Sequence, residues 1–315
     1  MLTGGGGTGK SYLIQTTSQW VDKILREAND NPEKPKVLLL AYTGNAASLI
    51  GGTTFHSGLA FKFGSGLLPL SNEKKAKYTN YLEDVEVVIV DEMSMASSDV
   101  LYNLHKRMQE LFFSEDLFGG RALLLVGDIM QLPPVKAPAI FKRPRDPKNA
   151  TMYDSDETNL WLNCQSVELE TNFRQGEGNP WTEMLNRIRI GEHTAEDIEI
   201  LKKRSSSLLT EEEYKKAIHL YYTNDEVNLY NTKMLSELLG DLYEAQAISY
   251  TPKGYIAKKD QYGNVENTQF VMTLQLKIGA RVMVVSNISI MDNLVNGSLG
   301  TIIDVGTIPE TGKNH

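Results

Sequence analysis

The stretch Gly4-Gly5-Gly6-Gly7-Thr8-Gly9-Lys10-Ser11 near the start of the chain decides the predicted fold. It satisfies the pattern G-x-x-x-x-G-K-[ST] of a phosphate-binding loop. Glycines allow successive backbone N–H groups to turn toward an anion, and the lysine ammonium adds a positive charge. The pattern therefore predicts a set of nucleotide-binding residues, which are Gly6, Gly7, Thr8, Gly9, Lys10, Ser11 and Tyr12.

A helix must follow this loop, because the positive end of the helix dipole favours the phosphate. Apolar residues recur at helical spacing between residues 11 and 28, among them Leu13, Ile14 and Val21. A flexible glycine linker is the alternative interpretation, but it would not require Lys-Ser and an amphipathic helix to follow. Since only three residues precede Gly4, we expect the strand before the loop to be very short.

Three short apolar runs predict strands. They are 37–41, 87–90 and 122–126. Continuous apolar runs of this length are typical of strands that are buried on both faces of a parallel sheet. The segments between the runs are long enough for helical crossovers, so the predicted class is α/β.

Acidic and amide side chains follow two of these runs, at the sheet edge where parallel sheets bind ligands. Asp91 is predicted to hold Mg²⁺ together with the Ser11 hydroxyl. Glu92 is predicted to polarise the water that attacks a γ-phosphate. Gln131 can donate to a phosphate and accept from water. Without the loop at residues 4–11, surface charge and an ordinary proline turn would explain these residues equally well.

The composition excludes several classes of protein. The chain has 315 residues, 41% hydrophobic and 23% charged, with a formal net charge of −8. This balance is ordinary for a globular protein, and the negative charge gives no global sign of nucleic-acid binding. Cys164 is the single cysteine, which excludes an internal disulfide and an all-cysteine zinc site. The sequence has neither an apolar run of about 20 residues nor a sorting segment, so we expect no membrane partner and a nuclear or cytoplasmic location.

The order of the motifs resembles the Pif family of superfamily 1B DNA helicases. The resemblance extends from residue 4 to about residue 303. The first loop alone is much less selective for this family than the pattern "Asp-Glu-x-Ser-Met" followed by "Gly-Asp-x-x-Gln-Leu-Pro-Pro". The specific segments are residues 4–11, 43–47, 53–57, 91–95, 127–135 and 172–175. Weaker family-like segments are residues 187–191, Thr223-Asn224 with Asn231, and residues 294–300.

This resemblance implies a P-loop NTPase with two RecA-like lobes, each with a parallel sheet. It implies an ATP-dependent DNA helicase that uses Mg²⁺ and ATP to move 5′ to 3′ on single-stranded DNA and unwind duplexes. Single-stranded and forked DNA are the expected partners of a monomer with roles in DNA repair, recombination and telomere maintenance. Lys10, Glu92, Gln131 and Arg174 are the expected catalytic residues, with Arg174 reaching the transferred phosphoryl group from the second lobe.

The resemblance also implies which residues contact DNA. Thr43, Gly44 and Ser57 are expected to hold phosphates from the first lobe, without reading sequence. Phe55 or His56 is expected to stack on a base, although a capping or core role explains His56 equally well. Thr223 and Asn224 occupy the corresponding place in the second lobe.

The domain organisation is expected to be a first lobe at residues 1–158 and a partial second lobe at residues 159–315. Residues 65–84 are expected to form a small accessory domain within the first lobe. The family's SH3-like insert is expected to begin where the chain stops, and a late arginine motif is absent, so we expect truncation at both ends. Two alternatives stay open: a helicase remnant that binds nucleotide or DNA without turnover, and another P-loop enzyme such as a GTPase or small-molecule kinase.

Overall fold

The structure is a computed structural model of the chain. It describes residues 1–61, 67–150, 153–155, 159–176, 178–205, 208–246, 271–285, 288–289, 292, 294 and 297–306. The chain divides into two compact units, Met1–Arg204 and Ser205–His315. None of the helices in the described ranges is both long enough and apolar enough to cross a membrane.

Six strands of the first unit form one parallel sheet in the order β3-β2-β4-β5-β1-β6. Their bounds are β1 Leu2–Gly4, β2 Val37–Ala41, β3 Thr53–Thr54, β4 Val87–Asp91, β5 Ala122–Gly127 and β6 Val167–Leu169. The three predicted apolar runs are β2, β4 and β5, each within one residue. All strands are parallel, so the loops that follow them meet at one edge. We call this edge, with the loops after β1, β2, β4, β5 and β6, the carboxyl edge.

Eight helices in the described part of the first unit connect or cover these strands. They are α1 Lys10–Leu25, α2 Gly44–Leu49, α3 Phe55–Leu59, α4 Asn72–Leu82, α5 Ser98–Phe112, α6 Pro147–Ala150, α7 Pro180–Ile190 and α8 Ala195–Lys202. Several begin at a hydroxyl side chain that accepts from a backbone N–H, as Ser97 does from Val100 at the start of α5. Helix α1 lacks such a cap and starts instead at Gly9, whose φ of 86° is open to glycine at little cost.

The core lies on both faces of the sheet, as the alternation along β4 shows. Val88 and Val90 face a cluster that includes Leu104 and Met108 of α5. Ile89, between them, faces a second cluster with Ile14 of α1. All of these side chains are at most 2% exposed. A strand buried on both faces explains why β4 reads as a continuous apolar run.

Strand β6 extends the first unit beyond the predicted first lobe. Residues 167–169 fall in the range predicted for the second lobe, yet they pair with β1 in the same sheet. Thr3 has Gly127 of β5 as its register partner on one side and Glu168 of β6 on the other. The short strand β1 therefore lies inside the sheet, and the compact units divide after Arg204 instead of at residue 158.

Most of the region predicted as an accessory domain is described. Helix α4 packs on α5, where the Thr79 hydroxyl donates to the carbonyl of Leu111 at 3.3 Å. Leu82 at the end of α4 is fully buried in the same cluster as Leu104. Residues 65 and 66 of the predicted range lie outside the described residues, and the independence of this region stays a prediction.

The second unit contains two short helices and two small antiparallel sheets among its described residues. The helices are α9 Glu211–Lys216 and α10 Asn224–Glu237, and the strands are β7 Tyr243–Gln246, β8 Thr273–Leu276, β9 Arg281–Met283 and β10 Leu299–Thr301. Strand β7 pairs with β8, and β9 pairs with β10. Residues 295 and 296 of the family-like segment 294–300 lie outside the described ranges.

Candidate nucleotide-binding site

The glycine-rich loop after β1 forms a cradle held by its own side chains. The Lys10 Nζ donates to the carbonyls of Gly4 and Gly5, at 2.8 and 2.9 Å. The Thr8 hydroxyl donates to the carbonyl of Gly5 at 2.9 Å. Burial lowers the pKa of Lys10, while the carboxylates of Asp128, Glu92 and Asp91 oppose that shift. The ammonium therefore lies among carboxylates at the carboxyl edge.

The loop after β6 packs directly on this cradle. The Asn172 amide donates to the carbonyl of Gly6 at 2.9 Å, and the Phe173 N–H donates to the carbonyl of Gly7 at 2.9 Å. A side chain at Gly7 would meet the Arg174 Cβ at 2.6 Å, and Gly7 also has a φ of 86°. Glycine is required at this position for both reasons. The contact holds the Arg174 backbone against the cradle.

The acidic pair lies at the end of β4. Asp91 is only 4% exposed, and its Oδ1 accepts from the Glu92 N–H at 2.9 Å. Burial raises the pKa of Asp91. Burial, and next the Asp91 charge, raise the pKa of Glu92. Glu92 also adopts a φ of 54°, a left-handed conformation that a residue with a side chain rarely adopts. A carboxylate with a raised pKa in a strained turn is a suitable general base.

Asp128, just after β5, accepts hydrogen bonds from two side chains and one backbone N–H. Its carboxylate is 2% exposed and accepts from Arg189 Nη2 at 2.5 Å. It also accepts from the Gln131 amide at 2.9 Å and from the Met130 N–H at 3.0 Å. Because β5 lies between β4 and β1, this cluster stands between the acidic pair and the cradle.

Two cavities meet at Gln131. One, of about 500 Å³, is lined by Gly5, Gly6, Thr8, Asp128, Arg174 and Arg189 among others. The other, of about 450 Å³, is lined by Thr43, Asn45, Asp91, Glu92 and Ser94 among others. Gln131 lines both. Glu92, Gln131 and Arg174 of the four predicted catalytic residues line these cavities, as do Gly6 and Thr8 of the predicted nucleotide-binding residues. Lys10 lines neither cavity, but its Nζ donates to the carbonyl of Gly5, which lines the larger one.

Three of the predicted nucleotide-binding residues, Lys10, Ser11 and Tyr12, lie at the start of α1. Tyr12 is 74% exposed, and Ser11 is half-buried. The Tyr12 ring is therefore open to the surroundings, and an exposed aromatic face can pack on a flat ligand.

The residues present fit a magnesium ion. Among the described residues, no group of three or more His, Cys, Asp or Glu side chains could hold a metal by itself. A protein site for Mg²⁺ typically supplies one or two oxygen ligands and leaves the others to phosphates and water. Asp91 and the Ser11 hydroxyl have that chemistry, so they would hold the ion together with a bound nucleotide.

The structure corrects the predicted DNA-binding role of Phe55. The ring is 1% exposed and packs edge-on against Phe61, with centroids 5.6 Å apart. A buried ring cannot stack on a base. The side chain of His56 lies outside what the structure describes. Ser57 is exposed, and its N–H donates to the Thr54 hydroxyl at 3.5 Å, which caps α3.

Thr43 lies at the start of α2, beside the second cavity. Its hydroxyl oxygen accepts from the Ala46 N–H at 3.2 Å, which leaves the hydroxyl proton available to a phosphate. Gly44 is the first residue of α2 and is half-buried. Both residues therefore lie at the same sheet edge as the acidic pair.

Thr223 and Asn224 belong to the second unit and begin α10. The Thr223 hydroxyl donates to the Glu226 carboxylate at 2.8 Å and accepts from the Glu226 N–H at 3.3 Å. The Glu226 carboxylate also accepts from the Thr223 N–H at 3.1 Å, and this bond forms a capping box together with the bond from the Glu226 N–H. The Thr223 hydroxyl is thus engaged both as donor and as acceptor. Asn224 is exposed and keeps its side chain available.

Arg189 is the part of the site that sequence reasoning did not find. The segment 187–191 stood out only as family-like, and nothing in it indicated which arginine faces the cavity. On a helix, residues two apart point in directions that differ by about 200°, so Arg187 and Arg189 take different partners. Arg187 pairs with Asp197 of α8 at 2.6 Å, away from the cavity lining.

Comparison with known proteins identifies the family. The family model described as PIF1-like helicase matches residues 1–198, and the model described as DNA helicase Pif1, 2B domain, matches residues 267–305. The sequence prediction had no separate domain in the second range. ATP-dependent DNA helicase RRM3 of Saccharomyces cerevisiae is 33% identical over 309 residues, covering 96% of this chain and 39% of that protein.

Solved structures show the same similarity. The crystal structure of Pif1 helicase from Candida albicans aligns with a TM-score of 0.70 at 29% identity, over 96% of this chain and 64% of that one. Pif1 helicase from Bacteroides, solved with ADP-AlF3 and single-stranded DNA, has the same fold, with a TM-score of 0.67 at 24% identity over 97% and 66%. The chain spans less than half the length of the curated relatives it matches. With a family model that matches residues 1–198, the chain belongs to the PIF1-like helicase family.

Proposed function

We propose that this chain carries the ATP-hydrolysing site of an ATP-dependent DNA helicase. The observation that supports it most directly is the 500 Å³ cavity, where the cradle, Gln131 and Arg174 come together beside the acidic pair. A triphosphate requires donors on several sides, and the loops after β1, β5 and β6 supply them from three directions. A relative in the family holds ADP-AlF3 and single-stranded DNA, which supports ATP and single-stranded DNA as ligands here.

The proposed reaction is hydrolysis of the bond between the β- and γ-phosphates. Glu92 accepts a proton from a water whose oxygen attacks the γ-phosphorus. The bond to the bridging oxygen then breaks, leaving ADP and inorganic phosphate. Lys10 and Arg174 stabilise the charge on the γ-phosphate oxygens, and Gln131 orients water and phosphate. A magnesium ion held by Asp91 and Ser11 would neutralise phosphate charge.

Lys10 must change partners for this reaction to begin. Its ammonium donates to two carbonyls of the cradle, Gly4 and Gly5. A phosphate oxygen is a stronger acceptor than a neutral carbonyl because it is charged. The nucleotide therefore draws the ammonium from the cradle to the phosphate, and the carbonyls turn to other donors.

The proposed DNA path begins at Thr43, Gly44 and Ser57, which offer a hydroxyl proton and backbone groups near α2 and α3. These groups can hold phosphates irrespective of sequence. We also propose 5′-to-3′ movement, action at forks as a monomer, and Thr223 with Asn224 as the contact in the second unit.

Substitution of Glu92 tests the proposed function. We expect Glu92→Gln to lower the rate of ATP hydrolysis roughly 10²–10³-fold, because the amide cannot accept the proton. The matched control is Glu86→Gln, which changes the residue just before β4 at the opposite sheet edge, where Glu86 pairs with Arg121 at 2.9 Å. We expect the control to hydrolyse ATP at the unchanged rate. Equal rates for the Glu92 variant and the unchanged chain would remove Glu92 from the mechanism.

Single-stranded DNA provides the second arm of this test. ATP hydrolysis is measured with and without a homopolymeric strand, and unwinding is measured on duplexes with a 5′ or a 3′ tail. A helicase is expected to hydrolyse ATP faster with the strand and to prefer the 5′ tail. Nucleotide binding without hydrolysis would instead support the second candidate, a helicase remnant that binds nucleotide or DNA without turnover.

A further inference from the structure

Helix α7 carries two arginines that bind two buried aspartates in different places. Arg189 pairs with Asp128 at the carboxyl edge, and Arg187 pairs with Asp197 of α8. Both aspartate side chains are 2% exposed. Both pairs join an arginine to a buried aspartate, with two hydrogen bonds for Arg187 and one for Arg189. Only the Arg189 pair lines the cavity beside the cradle among the described residues.

The Asp128 carboxylate fixes the orientation of the Gln131 amide. An ionised carboxylate only accepts hydrogen bonds, so the Gln131 group that faces it at 2.9 Å must be the NH₂. The second N–H of that NH₂ and the amide oxygen are then left to the cavities that Gln131 lines. This is the pair of groups that a residue needs to contact a γ-phosphate and a water together.

Arg189 also decides the local charge. Asp128, Asp91 and Glu92 all act electrostatically on Lys10, so three carboxylates surround the cradle. A buried carboxylate without a partner strongly destabilises its surroundings and would repel a phosphate placed nearby. The guanidinium of Arg189, 2.5 Å from Asp128 Oδ1, neutralises that charge. It also approaches the cradle, since a Cβ built at Gly5 lies 3.4 Å from its Nη1.

We propose that Arg189 is a positioning residue for nucleotide recognition, acting through Asp128 to orient Gln131 and to neutralise the cavity wall. The inference rests on the proposed function, because it assigns a role toward the nucleotide of that same site. The ion pair between Arg189 and Asp128 links the loop after β5 to helix α7, which follows the loop that carries Arg174. The γ-phosphate is the part of the ligand that this arrangement recognises.

The test compares two nucleotides that differ in the γ-phosphate. Dissociation constants are measured for ADP and for the β,γ-imido analogue of ATP, with Mg²⁺, on the whole chain. We expect Arg189→Gln to weaken binding of the imido analogue about 10- to 100-fold, as loss of a charge-assisted contact does, and binding of ADP less than about threefold. Arg189→Lys keeps the charge beside Asp128 and is expected to recover most of the affinity.

Arg187→Gln is the matched control, because it removes the same kind of ion pair from the same helix. We expect it to lower the melting temperature at least as much as Arg189→Gln does, because the Arg187 pair has two hydrogen bonds and the Arg189 pair has one. It should leave the ratio of the two dissociation constants unchanged. An equal change of that ratio in both variants would mean that α7 packing, and not the Asp128 contact, sets nucleotide preference, and would overturn the proposal.

A double substitution tests whether Arg189 acts through Asp128. In a chain that already carries Asp128→Asn, the partner charge is gone. We then expect Arg189→Gln to raise the dissociation constant of the imido analogue by a further factor of less than about three. If Arg189→Gln weakens binding of the imido analogue as much in this chain as in the unchanged chain, Arg189 contacts the nucleotide directly. That result would contradict a positioning role.

The proposed function can fail separately. If the unchanged chain binds neither nucleotide, the proposed function and this inference both fail. If it binds the imido analogue more tightly than ADP and Arg189→Gln keeps that preference, the inference alone fails.

Discussion

The two compact units are each stabilised by different interactions. In the first unit, side chains on both faces of the sheet are buried, and Leu104 of α5 is 1% exposed. In the second unit, Ala280 is the one buried hydrophobic residue among those described, and Leu220 and Leu239 are 92% and 94% exposed. Apolar burial is the dominant favourable term in folding. The comparison indicates that the carboxyl edge of the first unit rests on a rigid support.

Local hydrogen bonds replace burial in the second unit. Helices α9 and α10 both begin with a capping box, formed by Thr210 with Glu213 and by Thr223 with Glu226. Such boxes satisfy backbone N–H groups at a helix start without any tertiary contact. The ring of His219 packs edge-on against Tyr214, with centroids 4.5 Å apart, which adds a small aromatic cluster. Stability in this unit is therefore expected to come from small, independent contributions.

Truncation of one leucine in each unit is the sharpest test of this contrast. We expect Leu104→Ala to lower the free energy of unfolding by about 2–5 kcal/mol, because it leaves a cavity in the core. Leu239→Ala is the same change at an exposed position, and we expect it to lower the free energy of unfolding by less than about 0.5 kcal/mol. Denaturant titration measures both with circular dichroism, which reports on the secondary structure of both units.

Tryptophan fluorescence assigns the Leu104 effect to one unit. The three tryptophans of the chain, Trp20, Trp161 and Trp181, all lie before residue 205 and report on the first unit. The midpoint of the fluorescence transition should move with Leu104→Ala and stay constant with Leu239→Ala. Equal shifts in both variants would contradict the contrast between the units.

Substitution of the residue that caps α10 is expected to destabilise the protein less than Leu104→Ala does. We expect Thr223→Ala to destabilise the helix by about 1 kcal/mol, through loss of the cap. Hydrogen exchange of the α10 amides measures it, and protection in the first unit should not change.

Thr223→Asp separates the cap from the proposed DNA contact. Aspartate is a good cap, so the helix should keep its protection, but its charge repels a phosphate. Weaker binding of single-stranded DNA is the expected result. Unchanged DNA affinity would leave Thr223 with a capping role alone.

The smallest expected effect is a change in melting temperature on substituting Glu92, and its size depends on pH. Burial raises the pKa of Glu92 above its ordinary value of 4.5, so the folded state favours the protonated form. Stability from this group is present below pH 4.5 and is lost as the pH rises through the folded pKa. We therefore expect Glu92→Gln to melt higher than the unchanged chain at pH 8. The difference should vanish near pH 4, and a lower melting temperature for the variant at pH 8 would contradict the raised pKa.

The sequence predicted what depends on local pattern. Strands β2, β4 and β5 were found because a strand buried on both faces is apolar throughout. The cradle was found because its glycines, lysine and serine stand at fixed spacing. The gathering of Asp91, Glu92 and Gln131 at one edge follows from parallel strands alone, so it needed no knowledge of side-chain contacts.

What depends on tertiary contacts could not be predicted. Phe55 lies in a polar segment, and only the turn into α3 directs its ring to Phe61 in the core. Strand β6 has three residues, too few for their pattern to say which sheet they join. Predicting the role of Arg189 requires the orientation of α7 relative to β5, and the spacing of residues along the chain gives no information on that orientation.

The hydrogen bonds of Lys10 to the carbonyls of Gly4 and Gly5 have a consequence for affinity. Without nucleotide, the two carbonyls occupy donors of the ammonium that a phosphate would use. A nucleotide therefore competes with the carbonyls for the ammonium, and the measured affinity is the difference between these two hydrogen-bonded states. The affinity lost on removing the lysine is then smaller than the full strength of the lysine–phosphate contact, because the unchanged chain gives up the carbonyl bonds when it binds.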